Sequence, residues 1–208
     1  MPKTEPFDVH SDRYDAWFER NHEAYVAELE AVRRLIPPPP ARGMEVGVGS
    51  GKFAAPLGIR IGVEPSEEMA AKAERLDIEV FRNAAEALPF GDAAFDFVLM
   101  VTTICFVDDI PKSFEEAYRV LKPGGCLIVG FVDRESDLGK RYEKNRAQSV
   151  FYQDAVFVSA REVRDYFADA GFGDLAFTQT LIPGDAPGLV QSGYGKGAFV
   201  AARGVKTD

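Results

Sequence analysis

The sequence predicts a doubly wound α/β fold with a seven-stranded, mostly parallel sheet. From Met44 onward, short apolar segments alternate with amphipathic ones, which is typical of parallel strands joined by crossover helices. A glycine-rich turn at residues 45–51 follows the first apolar segment, where such sheets bind ligands. The last two apolar segments are separated only by a Pro/Gly-rich loop, residues 183–195, so we expect them to pair antiparallel.

The N-terminal region is predicted to be a helical lid. Residues 11–36 favour helix, because aromatic and aliphatic residues recur on one face: Tyr14, Trp17, Phe18, Tyr25, Leu29, Val32 and Ile36. Four prolines at residues 37–40 end this helix and form a stiff extended linker. We therefore predict two regions: residues 1–40, the lid with its proline linker, and residues 41–208, the sheet domain.

The strands of the domain are predicted from short apolar runs at residues 43–47, 59–63, 78–81, 95–101, 125–131, 174–182 and 197–203. Helices are predicted between them. Ser66 is a typical N-cap for the helix that follows it, and Ser159 and Glu162 have the spacing of a capping box. An i, i+3, i+4, i+7 stripe indicates a third helix, made by Phe114, Ala117, Tyr118 and Leu121.

Composition excludes several classes of partner. The formal net charge is -9 and the basic residues are scattered, so nucleic acid and anionic membranes are disfavoured. The two cysteines, Cys105 and Cys126, lie in apolar runs and are expected to be reduced core thiols. No signal peptide or long apolar run occurs, which predicts a soluble cytoplasmic protein, a monomer or weak homodimer. The sequence has no His/Cys cluster with metal-ligand spacing, so no metal site is predicted.

The glycine-rich turn is compatible with several nucleotide-like ligands. A phosphate-binding P-loop fails, because Val46 and Phe53 occupy the positions that need glycine and a hydroxyl. Residues 49–54 satisfy the dinucleotide pattern G-x-G-x-x-A, but a lone match is weak. An acid, Glu45, precedes the glycines by two positions, and a long helical segment precedes the fold, so this pattern fits poorly.

Four motifs in order carry a more specific resemblance. They are residues 45–51, residues 62–66, residues 85–90 followed by Phe95-Asp96, and residues 121–125. With them, residues 12–203 resemble the class I S-adenosylmethionine (SAM)-dependent methyltransferases, particularly the small-molecule branch related to quinone-biosynthesis enzymes. The resemblance implies a Rossmann-like sheet, S-adenosyl-L-methionine as cofactor and a small-molecule methyl acceptor.

The resemblance also implies roles for individual residues. The glycines and Glu45 surround the methionine half of the cofactor, Glu64 accepts hydrogen bonds from both ribose hydroxyls, and the Ala84 region lines the adenine. The implied cofactor-binding residues are Glu45, Gly47, Gly49, Gly51, Glu64, Pro65, Ala84, Ala85, Glu86, Leu88 and Val101. Relatives commonly have an aspartate at the position of Ala84. Alanine cannot accept from the adenine amino group, so Asn83, Glu86, water or backbone is left to do so.

Methyl transfer from a sulfonium is an in-line displacement that needs positioning more than catalytic side chains. The segment after the fourth strand is expected beside the reactive methyl group, so Thr102 and Thr103 are candidates for positioning the acceptor. The alternative is that these threonines only cap the following turn. Tyr14, in the predicted lid, is a further candidate for positioning the acceptor. Core packing explains the aromatic stripe that contains Tyr14 nearly as well. No catalytic residue is assigned.

Two other classes stay open at this point. One is a nicotinamide-dependent oxidoreductase, which Glu45 and the antiparallel C-terminal strand pair disfavour. The other is a noncatalytic SAM-binding protein that kept the fold, an alternative that Ala84 keeps open. The acceptor itself cannot be inferred from the fold.

Overall fold

A computed structural model describes residues 3–186 and 188–207, so the outermost residues of the two predicted regions and one residue of the predicted loop 183–195 lie outside the described residues. Its strands are β1 (Gly43–Val46), β2 (Ile61–Val63), β3 (Glu79–Phe81), β4 (Phe95–Val101), β5 (Leu121–Val132), β6 (Phe172–Thr180), β7 (Gln191–Ser192) and β8 (Phe199–Lys206). All lie in one sheet, in the order β3-β2-β1-β4-β5-β8-β6-β7. The predicted fold class is confirmed.

The strand directions agree with the prediction. Strands β1 to β5 are parallel, whereas β8 is antiparallel to both β5 and β6. The eighth strand, β7, is a two-residue addition to β6 within the predicted Pro/Gly-rich loop, too short to give a period-two signal in the sequence. The order reverses between β1 and β4, so the crevice beyond their carboxyl ends is the expected ligand site.

The helices are α1 (Glu5–Val9), α2 (Ser11–Arg20), α3 (His22–Arg33), α4 (Ala54–Leu57), α5 (Glu67–Glu74), α6 (Ile110–Val120), α7 (Asp137–Asn145) and α8 (Ala160–Asp169), with a 3₁₀ turn at Arg146–Gln148. Ser66 caps α5, and the Ser159–Glu162 capping box opens α8, both as predicted. The predicted helix at 11–36 is divided at Asn21, whose backbone N–H and side-chain Nδ2 both donate to the carbonyl of Trp17. A side chain that competes in this way for a carbonyl favours helix termination.

Helices cover both faces of the sheet, and each face has its own core. Successive residues of β5 alternate between the two: Leu127 and Val129 pack in one core, and Cys126 and Ile128 in the other. The first core lies under α6 and α8, and the second lies under α2, α3 and α4. Helices α2 and α3 therefore pack against the sheet.

Candidate active site

One cavity of ≈ 440 Å³ lies at the carboxyl edge of the sheet. This volume is within the range of about 300–1,000 Å³ that small-molecule sites occupy. Its walls come from the N-terminal helices, from the turns after β1, β2, β3 and β4, and from the segment that contains α7. Most of the predicted site residues line it: Tyr14, Gly47, Gly49, Glu64, Pro65, Ala84, Ala85, Glu86, Val101, Thr102 and Thr103.

The turn after β1 forms one wall of the cavity by close backbone approach. Gly47 and Gly49 have φ values of +68° and +54°, which favour glycine. A side chain at Gly47 would collide with Thr103, and a Cβ at Gly49 would lie 3.8 Å from the Tyr14 hydroxyl. Gly51 also has positive φ but packs away from the cavity, against residues between α5 and β3. The first two glycines therefore open the site, while the third allows close packing beside it.

Glu64 follows β2 and holds this turn in place. Its Oε2 accepts from the Gly49 N–H and its Oε1 from the Ser66 N–H, both at 2.9 Å. The side chain is only 8% exposed, and burial raises the pKa of Glu64, although the two backbone donors act in the opposite direction. Each carboxylate oxygen has a second lone pair. Glu64 can therefore accept two further hydrogen bonds from a diol in the cavity.

Three predicted cofactor residues do not line the cavity: Glu45, Gly51 and Leu88. Glu45 is 2% exposed beneath the turn, and its Oε2 has no hydrogen-bond partner among the described residues. Burial raises the pKa of Glu45 well above its usual value, with the Ala54 N–H opposing this. Leu88 packs in the core and its N–H donates to Glu116. Direct cofactor contact by these residues stays a prediction.

The adenine end of the predicted site contains two acids and an amide. Glu86 lines the cavity, and its Oε1 accepts from the N–H groups of Asp108 and Asp109 at 2.7 and 3.0 Å. Asn83 also lines the cavity, and its Nδ2 donates to the Ala87 carbonyl at 3.4 Å. Asn83 Oδ1 and Glu86 Oε2 are thus the acceptors left for an amino group, beside the acid Asp108, which sequence reasoning missed.

The two predicted threonines differ in what their hydroxyl groups do. Thr103 Oγ1 lies 3.2 Å from the Val46 carbonyl and 3.1 Å from the Val101 carbonyl, so its proton is used to cap strand ends. Thr102 has a φ of +51°, an unusual conformation for a β-branched residue, and lines the cavity. Such strain at the edge of a cavity is typical of functional sites. Thr102 is therefore the better acceptor-positioning candidate.

The N-terminal helices contact the turns that form the site. Ser66 Oγ donates to Asp8 at 2.5 Å, and Ser50 Oγ donates to Asp15 at 2.6 Å. Lys72 on α5 pairs with Asp15 at 2.9 Å and with Asp12 of the same lid helix at 2.6 Å. Burial raises the pKa of Tyr14, and the carboxylates of Glu45 and Glu64 add to this effect. The Tyr14 hydroxyl thus lies within the field of the predicted cofactor acids.

Besides Asp108, sequence reasoning missed five aromatic residues of the cavity and a second acid. Phe7, Phe106, Phe151, Tyr142 and Tyr152 line it. Glu28 lines it too, yet is only 5% exposed. The available signal was an acid one helical turn from both Tyr25 and Val32, on the apolar face of α3. The two histidines of the chain, His10 and His22, do not line the cavity.

The described part of the chain contains no group of three or more metal-ligating side chains that could hold a metal ion. Within the same residues, no helix is long and apolar enough to cross a membrane.

Comparison with known proteins yields consistent matches. The family described as "Methyltransferase domain" matches residues 44–129. A solved structure from Thermotoga maritima, described as a SAM-dependent methyltransferase and possible histamine N-methyltransferase, has a TM-score of 0.93, is 50% identical, and covers 98% of this chain and 100% of its own. An uncharacterized protein of Methanocaldococcus jannaschii is 46% identical over 94% of this chain and 96% of its own. A ubiquinone/menaquinone biosynthesis C-methyltransferase of Rickettsia felis is 38% identical over 46% of each chain.

Proposed function

The chain belongs to the class I SAM-dependent methyltransferases, and we propose that it transfers the methyl group of SAM to a small-molecule acceptor bound in the cavity described above. The main observation in support is that predicted cofactor-binding residues and predicted acceptor-positioning residues line the same cavity. Gly49 and Glu64 line it, and so do Thr102 and Tyr14.

The side chains and backbone of this site fit the cofactor. The positive-φ turn leaves room for the methionine half, and the unpartnered buried oxygen of Glu45 lies beneath that turn. Glu64 has lone pairs for the ribose diol, and Ala84 and Ala85 offer a small apolar surface for the adenine ring. SAM supplies an electrophilic methyl group with a good leaving group. The protein then has to orient the acceptor and exclude water.

The proposed mechanism uses the lid for water exclusion. A Cβ added at Gly49 would lie 3.8 Å from the Tyr14 hydroxyl, so Tyr14 covers the glycine turn, and a bound acceptor is enclosed between α2 and the carboxyl ends of the strands. Thr102 contacts the acceptor from the end of β4. A nicotinamide-dependent reaction is disfavoured by the family assignment. The descriptions of the Thermotoga and Rickettsia relatives specify nitrogen and carbon acceptors, respectively, so relatives alone do not decide the acceptor atom.

Calorimetric titration with S-adenosylhomocysteine tests this function. We expect the wild type to bind and Glu64→Ala to bind more weakly by about 1–3 kcal/mol, the usual value of a hydrogen bond to a charged group. Because alanine also leaves the Gly49 and Ser66 N–H groups without their acceptor, Glu64→Gln is the less disruptive companion variant. Glu67→Ala, in the first turn of α5, is the exposed control and should leave affinity unchanged. A wild type that does not bind the ligand contradicts the proposal.

A further inference from the structure

Glu28 is a buried acid that lines the cavity. It lies on α3, where Ala27, Ala31 and Val32 are fully buried and the carbonyl of Ala31 accepts from Thr178 on β6 at 2.9 Å. These contacts hold the helix firmly against the sheet. Within residues 3–186 and 188–207, the Glu28 carboxyl makes no hydrogen bond or ion pair.

A buried carboxyl without a partner is costly, so its retention on a packed helix needs a reason. Many of the side chains that line the same cavity are aromatic. Tyr142 and Tyr152 stack with ring centroids 5.1 Å apart, and Tyr152 stacks on Phe106 at 5.9 Å. Phe151 and Tyr14 meet edge to face at 6.0 Å. Aromatic faces together with a desolvated carboxylate are the groups with which proteins bind organic cations.

Glu28 acts electrostatically on three tyrosines that line the same cavity as the predicted cofactor residues. The Glu28 carboxylate helps to raise the pKa values of Tyr14, Tyr142 and Tyr152, although burial is the largest cause for each tyrosine. Glu45 and Glu64 also act on Tyr14, as described above. Tyr14 is thus affected by Glu28 as well as by both cofactor acids, and Tyr14, Glu28 and Glu64 line one cavity that a single ligand can fill.

We propose that Glu28, with the aromatic side chains around it, is the binding site for a protonated amine, and that the methyl acceptor of this enzyme is therefore a small amine. This inference rests on the proposed function, because it assumes that the second ligand of the cavity receives the methyl group. The amine lies against the Glu28 carboxylate, and its apolar part packs on Phe106, Phe151 and Tyr152.

The same contact prepares the nitrogen for reaction. An ammonium group has no lone pair, so one N–H proton first passes to Glu28, which gives a neutral amine and a neutral carboxyl. The nitrogen lone pair then forms a bond to the methyl carbon while the carbon–sulfur bond breaks, and its electron pair stays on sulfur, which becomes a neutral thioether. The product is a methylated ammonium, whose charge the aromatic faces stabilise. Burial raises the pKa of Glu28 to about 8, close enough to that of an amine for such a transfer.

Other charged groups also line this part of the cavity. Arg13, Arg20 and Arg141 are exposed cations there, and Lys3 donates to the Asp154 carbonyl at 2.9 Å. Their charges disfavour an amine at the outer end, so electrostatics favours the amine next to Glu28 rather than at the rim. The affinity of an acceptor that is bound without recognition of its charge would not depend on Glu28. Binding measurements on a Glu28 variant therefore distinguish the two cases.

Trp17 supplies the measurement, because it is the single tryptophan of the chain and lines the cavity. Protein saturated with S-adenosylhomocysteine is titrated at about pH 8.5, where Glu28 is ionised and the amines are still protonated, with benzylamine and 2-phenylethylamine, and with benzyl alcohol and 2-phenylethanol as their neutral isosteres. The variants are Glu28→Gln and Glu30→Gln. Glu30 lies on the same helix, is partly exposed and pairs with Arg34. Transfer of labelled methyl groups to each amine is measured in parallel by mass spectrometry.

We expect at least one amine to bind the wild type about tenfold or more tightly than its alcohol, and to be methylated on nitrogen. Glu28→Gln should remove this preference by about tenfold while leaving the alcohols and S-adenosylhomocysteine unaffected, and Glu30→Gln should change nothing. The proposal is overturned if no amine is preferred over its alcohol, or if Glu28→Gln keeps the preference. Failure of the wild type to bind S-adenosylhomocysteine would instead contradict the proposed function.

Discussion

The buried Glu28 carboxyl should make the stability of the unliganded protein depend on pH, and Glu28→Gln should remove this dependence. Its pKa is raised from 4.5 to about 8 because the carboxyl is buried, so the folded state binds a proton that the unfolded state releases. Stability contributed by the neutral carboxyl is fully present below pH 4.5 and is lost as pH rises toward about 8. The free energy of unfolding therefore falls by about 1.4 kcal/mol per pH unit in this window, and by about 5 kcal/mol in all.

Urea unfolding of the wild type and Glu28→Gln at intervals from about pH 4 to pH 9 measures this effect. Glutamine resembles the neutral carboxyl, so the two proteins should be about equally stable at the acid end, and the variant should be more stable by up to about 5 kcal/mol at the alkaline end. Burial also raises the pKa values of Glu45, Glu64 and Asp133, but these groups are common to both proteins and cancel in the difference. Parallel curves for the two proteins would refute a buried, unpaired Glu28.

Two further perturbations test the turn and the lid. Gly47→Ala should lower the free energy of unfolding by about 1–2 kcal/mol because of its positive φ, and by more because the new Cβ collides with Thr103. Gly58→Ala, which has a positive φ but no described atom within 4 Å of the new Cβ, should show only the first loss. Equal losses of the two variants in thermal unfolding would contradict the close approach of Gly47 to Thr103. Lys72→Gln removes two ion pairs to α2 and should lower the local stability of α2 by up to about 1 kcal/mol, measured as faster hydrogen exchange of the α2 amides. High salt should speed the exchange of these amides in the wild type but not in the variant. Lys112→Gln, which removes an ion pair within α6, is the control; unchanged exchange in Lys72→Gln would show that these pairs do not hold the lid.

Local signals in the sequence were enough to predict much of the fold. Ser66 and the Ser159–Glu162 pair cap their helices as predicted, because a cap needs only the residues of one helical turn. The apolar runs predicted the parallel strands, and the short distance between the last two predicted their antiparallel pairing. The glycine turn was recognisable because Gly47 and Gly49 must adopt positive φ.

The missed features depend on contacts between distant residues. β7 is a strand only because Gln191 and Ser192 lie next to β6. Phe151 and Tyr152 lie in a segment without helical or strand periodicity, so nothing local indicated that they would reach the cavity. Glu28 lies on the apolar face of α3 in the sequence pattern, but its burial depends on the packing of α3 against β6.

The central claim is that Glu64 holds the ribose of the cofactor in the cavity behind the glycine turn. A crystal structure of the complex with S-adenosylhomocysteine measures this directly. We predict that the Glu64 carboxylate oxygens lie about 2.5–3.0 Å from both ribose hydroxyl oxygens, with the methionine half over Gly47 and Gly49. A ribose bound away from Glu64, or a ligand outside this cavity, would contradict the account.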